Sequence, residues 1–507
     1  MIECYCDRPS YRSGDAVDVH VSTSSPRFDV EVLDVTREGR VLWAGKELPG
    51  IAHPAPDDVA SRGCEWPVSF TVPTTHDWVS AVCLIRLTAS DGDQCEGFFV
   101  LRPYRPRAAL LMVITTSTYQ AYNDYGGANA YATGGLAYTG GIPVVSWRRP
   151  LPPGYITKSA DFVRLASTTP GDESIPFLGW AIESGISIWS GGTGWSNWEH
   201  PFVEWVRAEG YELDFACSHD LHDDPGALDG YQLMLSVGHD EYWSWEMRDC
   251  VENFIAAGGN VAFFSGNTAF WQVRFDDAFR MTTYKGRWRD DPLLGSDREA
   301  RVTGLWSNPI TGRPENHMTG LSFVAGGYAR IAGASPAGQG GYAIYRPEHW
   351  IFTGTGLRYG DLLGRESVLI GYEVDGCRFR FANGRPEPTG EDGTPSSFQI
   401  LGLASAALLS KESAPDFYPD GAMSDLEIVT DQMTGSCTAE NLARFTYGHA
   451  TMGIFERGGT VFAAGTTEWA CGLASRDPQI MQITRNLLDR LGKRDAHRVN
   501  AGSIPID

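Results

Sequence analysis

Residues 231–266 read YQLMLSVGHDEYWSWEMRDCVENFIAAGGNVAFFSG, and the fold follows from how this stretch divides. YQLMLSV (231–237) is a short apolar run with no polar alternation, the pattern of a strand covered on both faces of a parallel sheet. A helical pattern over 243–257 ends at Gly258-Gly259, where glycine suits a left-handed helix terminus. NVAFFSG (260–266) then supplies the next buried strand. Strand, helix and strand at such short spacing make a βαβ unit, and the unit implies a parallel sheet.

The same signals recur on both sides. ALLMVITT (108–115) and YELDFA (211–216) predict buried strands, with helical character over 202–210 between them. GTVFAAG (459–465) precedes a predicted helix over about 477–491. From about 281 to 400 the chain is rich in Gly, aromatic and β-branched residues without helical period, which reads as a β-rich insertion. Upstream of residue 102 the pattern has period two. Val17, Val19 and Val21, then Phe28, Val30 and Val32, then Trp66, Val68, Phe70 and Val72 alternate with polar neighbours. Short strands separated by Pro, Gly and Asp clusters predict a β-sandwich of immunoglobulin-like size, with its last strand over 96–101. The expected organisation is therefore a sandwich over 1–104 and an α/β domain over 105–507. The basic, proline-broken RPYRPR (102–107) reads as the linker, where cleavage is expected to release a folded α/β fragment.

Composition narrows the partners. Of 507 residues 42% are hydrophobic, ample for a core. Lys and Arg number 41 against 63 Asp and Glu, a formal charge of −22. So acidic a surface repels phosphate backbones and anionic lipid, so neither nucleic acid nor membrane is an expected partner. No apolar run reaches the roughly 18 residues of a membrane span. MIECYCDRPSY has neither the basic start nor the apolar stretch of a secretory signal, and the ten scattered cysteines form no CxxC pair. The expectation is a cytoplasmic protein with reduced thiols.

Open parallel sheets bind ligands beyond the carboxyl ends of their strands, so the polar residues there are the first candidates. STYQAYNDYGG after the first strand supplies Tyr119, Tyr122, Asn123 and Asp124. GHDEYW supplies His239, Asp240 and Glu241, SGN supplies Ser265, Gly266 and Asn267, and SVLIGY (367–372) is read as a strand ending at Glu373. Each signal alone is weak, because buried polar groups are usually just satisfied, and Glu241 could equally cap the helix beside it. His239 and Glu241 are the strongest pair, since one turn at an open strand end aims both together. In WSGGTGWSNWEH (189–200) the aromatics read first as packing and second as a pocket-lining loop. No Gly-x-Ser-x-Gly elbow, HExxH, DxDxDG or P-loop is present. Cys217, with His219 and His222 close by, is the candidate for a metal-free cysteine amidase, but it lacks the small, glycine-framed elbow.

At STYQAYNDYGG, GHDEYWSWEM and GGNVAFFSGNTAFW, and more loosely from CYCDRPSYRSGD to GTTEWACGL, the chain resembles the large (beta) subunits of N,N-dimethylformamidase. The resemblance implies a sandwich followed by a glutamine-amidotransferase-like, flavodoxin-like α/β domain. It implies an amide hydrolase acting on a small N-alkyl amide through a mononuclear Fe(III) held by two tyrosinates and a glutamate. By motif, Tyr119 matches the first tyrosine and Glu241 the carboxylate, with Tyr155, then Tyr138, as the second tyrosine. His239, Asn267 and Glu373 match groups around substrate and water, with Glu373 as general base. The extra N-terminal sandwich of long family members is missing from the pattern. A homo-oligomer and a separate small subunit are partners the resemblance leaves open. The competing expectation is a ligand-binding protein on the same fold, without catalysis.

Overall fold

The apolar runs assemble as strand interiors must, by pairing with one another. A computed structural model describes residues 1–37, 39–134, 140–414 and 418–493. Five parallel strands lie side by side in the order Leu213–Cys217, Leu110–Ile114, Leu233–His239, Asn260–Gly266 and Gly459–Ala463. Every residue of the first three is buried, as strands covered on both faces require. Taken by chain position the order is 2-1-3-4-5. Its direction reverses between Leu110–Ile114 and Leu233–His239, and ligands bind beyond the strand ends at such a reversal.

The sheet does not stop there. Tyr447–Arg457, Gln399–Ala407, Ser322–Tyr328 and Glu373–Gly376 extend it as antiparallel strands. The β-rich stretch from about 281 to 400 thus builds the same sheet rather than standing apart from it. Within it, the expected strand over 367–372 is absent. Leu369 and Ile370 are buried, but Val368 has a φ of +51° and the segment turns through bonds from Val368 N to Arg365 O and Leu369 N to Gly364 O. A buried turn and a buried strand show the same apolar run, and the strand begins only at Glu373.

The alternating N-terminal segments form two sheets. Ile2–Cys6, Ala16–Thr23 and Phe70–Pro73 make one, and Ser10–Arg12, Gln94–Arg102, Ala81–Ala89, Arg27–Asp34 and Arg40–Pro49 make the other. Val17, Val19 and Val21 share a core with Val30, Cys83 and Ile85 between them. The outer face of the larger sheet is apolar as well. Leu33, Val82, Leu84, Phe98 and Val100 join one continuous core with Met112 and Phe215 of the parallel sheet. Ser80 Oγ accepts from Phe215 N at 2.7 Å, and Arg102 donates to Asp220 and Asp224 at 3.0 Å each. All ten cysteines are free thiols, and among the described residues no helix is long and apolar enough to cross a membrane.

Candidate active site

The strand ends at the reversal converge on one buried carboxylate. Glu241 follows Leu233–His239, and its backbone N donates to Thr118 Oγ1 at 3.1 Å, tying it to the helix Thr116–Tyr122. It does not cap the helix Trp245–Ala256. Ser244 does, its Oγ accepting from Met247 N at 3.2 Å. Glu241 is left for the site, where the Tyr131 hydroxyl lies 2.9 and 2.8 Å from its two oxygens and the Tyr122 hydroxyl lies 3.2 Å from Oε2. The two hydroxyls are 2.9 Å apart, and Trp271 Nε1 donates to Glu241 Oε1 at 2.6 Å.

Beside this group sits a second one. His239 Nδ1 lies 2.6 Å from Gly192 O, which fixes a proton on that nitrogen. Nε2 then faces Glu373 at 2.6 Å and Glu241 at 3.3 Å. Burial opposes charge on the imidazole, but the two carboxylates outweigh it and raise the pKa to about 9. Asn267, at the end of Asn260–Gly266, donates to Glu373 Oε2 at 3.3 Å and lies 3.4 Å from His239 Nε2. Its φ of +50° is a left-handed conformation that asparagine tolerates better than most residues. Its Oδ1 is buried and accepts no hydrogen bond among the described residues.

His239, Glu241, Asn267 and Glu373 are thus brought together as the sequence suggests, and the two expected tyrosines are not among them. Tyr119 donates its hydroxyl to Glu199 and packs its ring against Phe98. Thr118 and Tyr122 are four apart and share the helix face toward Glu241, whereas Tyr119 is turned away from it. Tyr155 is buried with Asp124 and Arg149 as its charged neighbours. Tyr138 lies outside the described residues. Motif matching misses both tyrosines that reach Glu241: Tyr122, named only as a strand-end candidate, and Tyr131. Asn129 holds Tyr131 there: its Oδ1 accepts from Tyr131 N and Ala132 N, and its Nδ2 donates to Tyr122 O. An Asn two residues before a Tyr in a Gly-rich loop is an Asx-turn signal, legible in GGANAYATGG (126–135). Lys285 is also missed. It is buried with its Nζ 2.8 Å from the Tyr131 ring centroid. Burial lowers its pKa to about 7 against the pull of Glu241, Asp425 and Glu373.

Cys217 is not part of the site. It is fully buried, desolvation pushes its thiol well above the ordinary range, and it does not line the cavity described next. His219 is held between Thr116 and Gln120, and His222 lies 2.8 Å from Ser244 Oγ.

Tyr122, Tyr131, Glu241, Asn267 and Glu373 line a cavity of about 600 Å³, with Trp189 and Gly192 of the aromatic loop on its wall. Among the described residues no group of three His, Cys, Asp or Glu is arranged to hold a metal ion, so a cation here would need the tyrosine oxygens. Their chemistry fits one, because hard phenol and carboxylate oxygens of Tyr122, Tyr131 and Glu241 meet within 2.8–3.2 Å of one another. Burial, then Glu241, holds the Tyr122 hydroxyl well above its ordinary pKa, so only a strong positive charge would turn it into a phenolate.

A family described as "N,N-dimethylformamidase beta subunit-like, C-terminal" matches residues 29–482. The N,N-dimethylformamidase beta subunit of Alcaligenes sp is 27% identical over 221 residues, and that of Paracoccus aminophilus 26%. Each match covers 41% of this chain and only 28% of the relative's length. The crystal structure of CopC from Methylosinus trichosporium OB3b aligns with 20% of this chain and 97% of its own. Its TM-score of 0.13 and 16% identity are too low to carry an argument. With the match running through both the N-terminal strands and the converging strand ends, the chain belongs to the N,N-dimethylformamidase beta subunit-like family.

Proposed function

We propose that the protein hydrolyses amides, and that its centre is a ferric ion held by Tyr122, Tyr131 and Glu241 beside Glu373, His239 and Asn267. The observation that carries this is the meeting of two phenol oxygens and one buried carboxylate on the wall of a cavity. Hard, anionic oxygen donors suit a trivalent ion, and the strand order supports a glutamine-amidotransferase-like, flavodoxin-like domain with its site at the reversal. When bound, such an ion polarises an amide carbonyl and acidifies water. The protein does the rest. Glu373 takes the proton of the attacking water. His239, pinned by Gly192 and carrying a proton on Nε2, orients that carboxylate, gives its own proton to the leaving amine and is reprotonated by Glu373. Asn267 Oδ1 holds the water or the amide N–H in line. Amide and water become a carboxylic acid and an amine.

One pair of variants tests both halves. Metal content, release of amine from N,N-dimethylformamide and thermal unfolding are measured for wild type, Glu241→Gln and Glu373→Gln. Glu241→Gln is expected to lose most bound iron and essentially all turnover while remaining folded. Glu373→Gln should keep iron and lose at least a hundredfold in kcat. Full iron and wild-type turnover in Glu241→Gln would sink the metal-centre reading. A wild type without turnover on any amide leaves a ligand-binding protein.

A further inference from the structure

We infer that the substrate is a bulky, uncharged amide bearing an aryl or branched apolar group, rather than a small N-alkyl formamide. This rests on the amide-hydrolase reading of the same site and goes beyond it in naming the substrate class.

The first observation is room. The cavity holds about 600 Å³. A water takes about 30 Å³ of the liquid, so a five-heavy-atom amide fills on the order of 100–150 Å³. Most of the space beyond the reacting atoms would be left to solvent, whereas pockets of roughly 300–1,000 Å³ enclose drug-sized molecules. The second is the wall. Much of it is apolar or aromatic, with Leu165, Leu178, Phe323, Tyr328 and Leu409 on the lining and Tyr372 beside Glu373. Phe323 and Tyr328 meet edge to face at 5.1 Å, and Tyr328 and Tyr372 follow at 6.1 Å. This aromatic surface offers ring edges and faces to another ring, and each apolar group buried on it strengthens binding several-fold.

The third observation is charge. The ionisable carboxylates on the wall are Glu173, Glu241, Glu373 and Asp425, and among the described residues no Lys or Arg lines the cavity, the nearby Lys285 being packed on the Tyr131 ring and outnumbered by these acids. Asp425 Oδ2 accepts from Tyr328 at 3.1 Å and from Tyr418 at 2.7 Å, which places a carboxylate among the aromatic rings at the wall. An acid-bearing substrate would meet like charge in a poorly solvated space.

Three amides separate the possibilities: N,N-dimethylformamide, N-phenylacetamide and 4-acetamidobenzoate, the last adding one carboxylate to the second. Binding to the protein as purified is followed by calorimetry, and turnover by amine release. N-phenylacetamide is expected to bind at least tenfold more tightly than N,N-dimethylformamide and to show at least tenfold higher kcat/KM. 4-Acetamidobenzoate should bind at least tenfold more weakly than its uncharged parent. Leu178→Trp, which fills part of the cavity from the helix Pro176–Glu183, should lower the ratio of kcat/KM for N-phenylacetamide over N,N-dimethylformamide by tenfold or more. Equal or tighter binding of N,N-dimethylformamide, or no loss from the added carboxylate, overturns the inference. Tight N-phenylacetamide binding without turnover of any amide overturns the hydrolase reading and leaves the ligand class standing.

Discussion

Tyr119 and Tyr122 stand three residues apart on one short helix, yet one hydroxyl goes to Glu199 and the other to Glu241. Motif matching picks Tyr119, while position alone weighs the two tyrosines alike, because both are aromatic residues just past a strand end. What separates them is helical phase, and phase depends on where the helix starts, which a seven-residue element does not announce. The distinction is testable by single atoms. Tyr131→Phe removes a donor from the Glu241 group and should cost most of the bound metal and at least a hundredfold in turnover. Tyr119→Phe should retain metal and turnover and instead cost about 1–3 kcal/mol of stability, by leaving Glu199 short of a donor in a buried place. Equal metal loss in both would return Tyr119 to the site. His239, Glu241 and Asn267 were legible because each stands at or just past the end of a strand whose apolar run was read correctly, whereas Glu373 was picked from an expected strand that is a buried turn and in fact opens the strand Glu373–Gly376.

Among the elements, the buried strands flanked by helical pattern and glycine, such as YQLMLSV, were the most legible, because a βαβ context separates them from other apolar runs. The turn at 367–372 was not, since its left-handed Val368 leaves no compositional trace. Packing also sets the titration of groups that a sequence presents as ordinary. Glu315, between the helix Asn316–Thr319 and the 3-10 turn Pro309–Thr311, accepts from Ser307 at 2.7 Å and from Ser322. Among the described residues it makes no ion pair, though the charge of Arg248 opposes the effect of burial on it. Burial raises its pKa from near 4.5 to about 7. The folded chain therefore holds this proton more tightly than the unfolded one. Between about pH 4.5 and 7 its contribution to stability falls as pH rises, and above pH 7 it stays low. Glu315→Gln keeps the shape, and either serine hydroxyl can turn to accept from the amide. Urea unfolding should show the variant more stable than wild type at pH 8 by on the order of 2–3 kcal/mol, with little difference at pH 5. A gain independent of pH would mean that the charge is not the cause.

At the scale of the whole molecule, the alternating N-terminal segments do pair into two sheets, but alternation treats the polar-facing side as a solvent face. The larger sheet breaks that rule, because Val82, Leu84, Phe98 and Val100 point into the core shared with the parallel sheet. The burial pattern of Ala81–Ala89 is nearly continuous, and AVCLI in the sequence carries that hint. A releasable α/β fragment is therefore not what this interface favours. A chain beginning at residue 105 should be recovered largely insoluble or partly unfolded, with raised binding of a hydrophobic dye. A soluble fragment with a two-state melt near that of the full chain would show the interface to be dispensable.

That shared face also has a clock attached to it. A ribosome finishes the last sandwich strand at Arg102 and the edge strand that covers it only at Cys217, about 115 residues later. At about 5–20 residues per second the apolar sheet waits roughly 6 to 23 seconds for its cover, ample time for chaperones to engage it during synthesis.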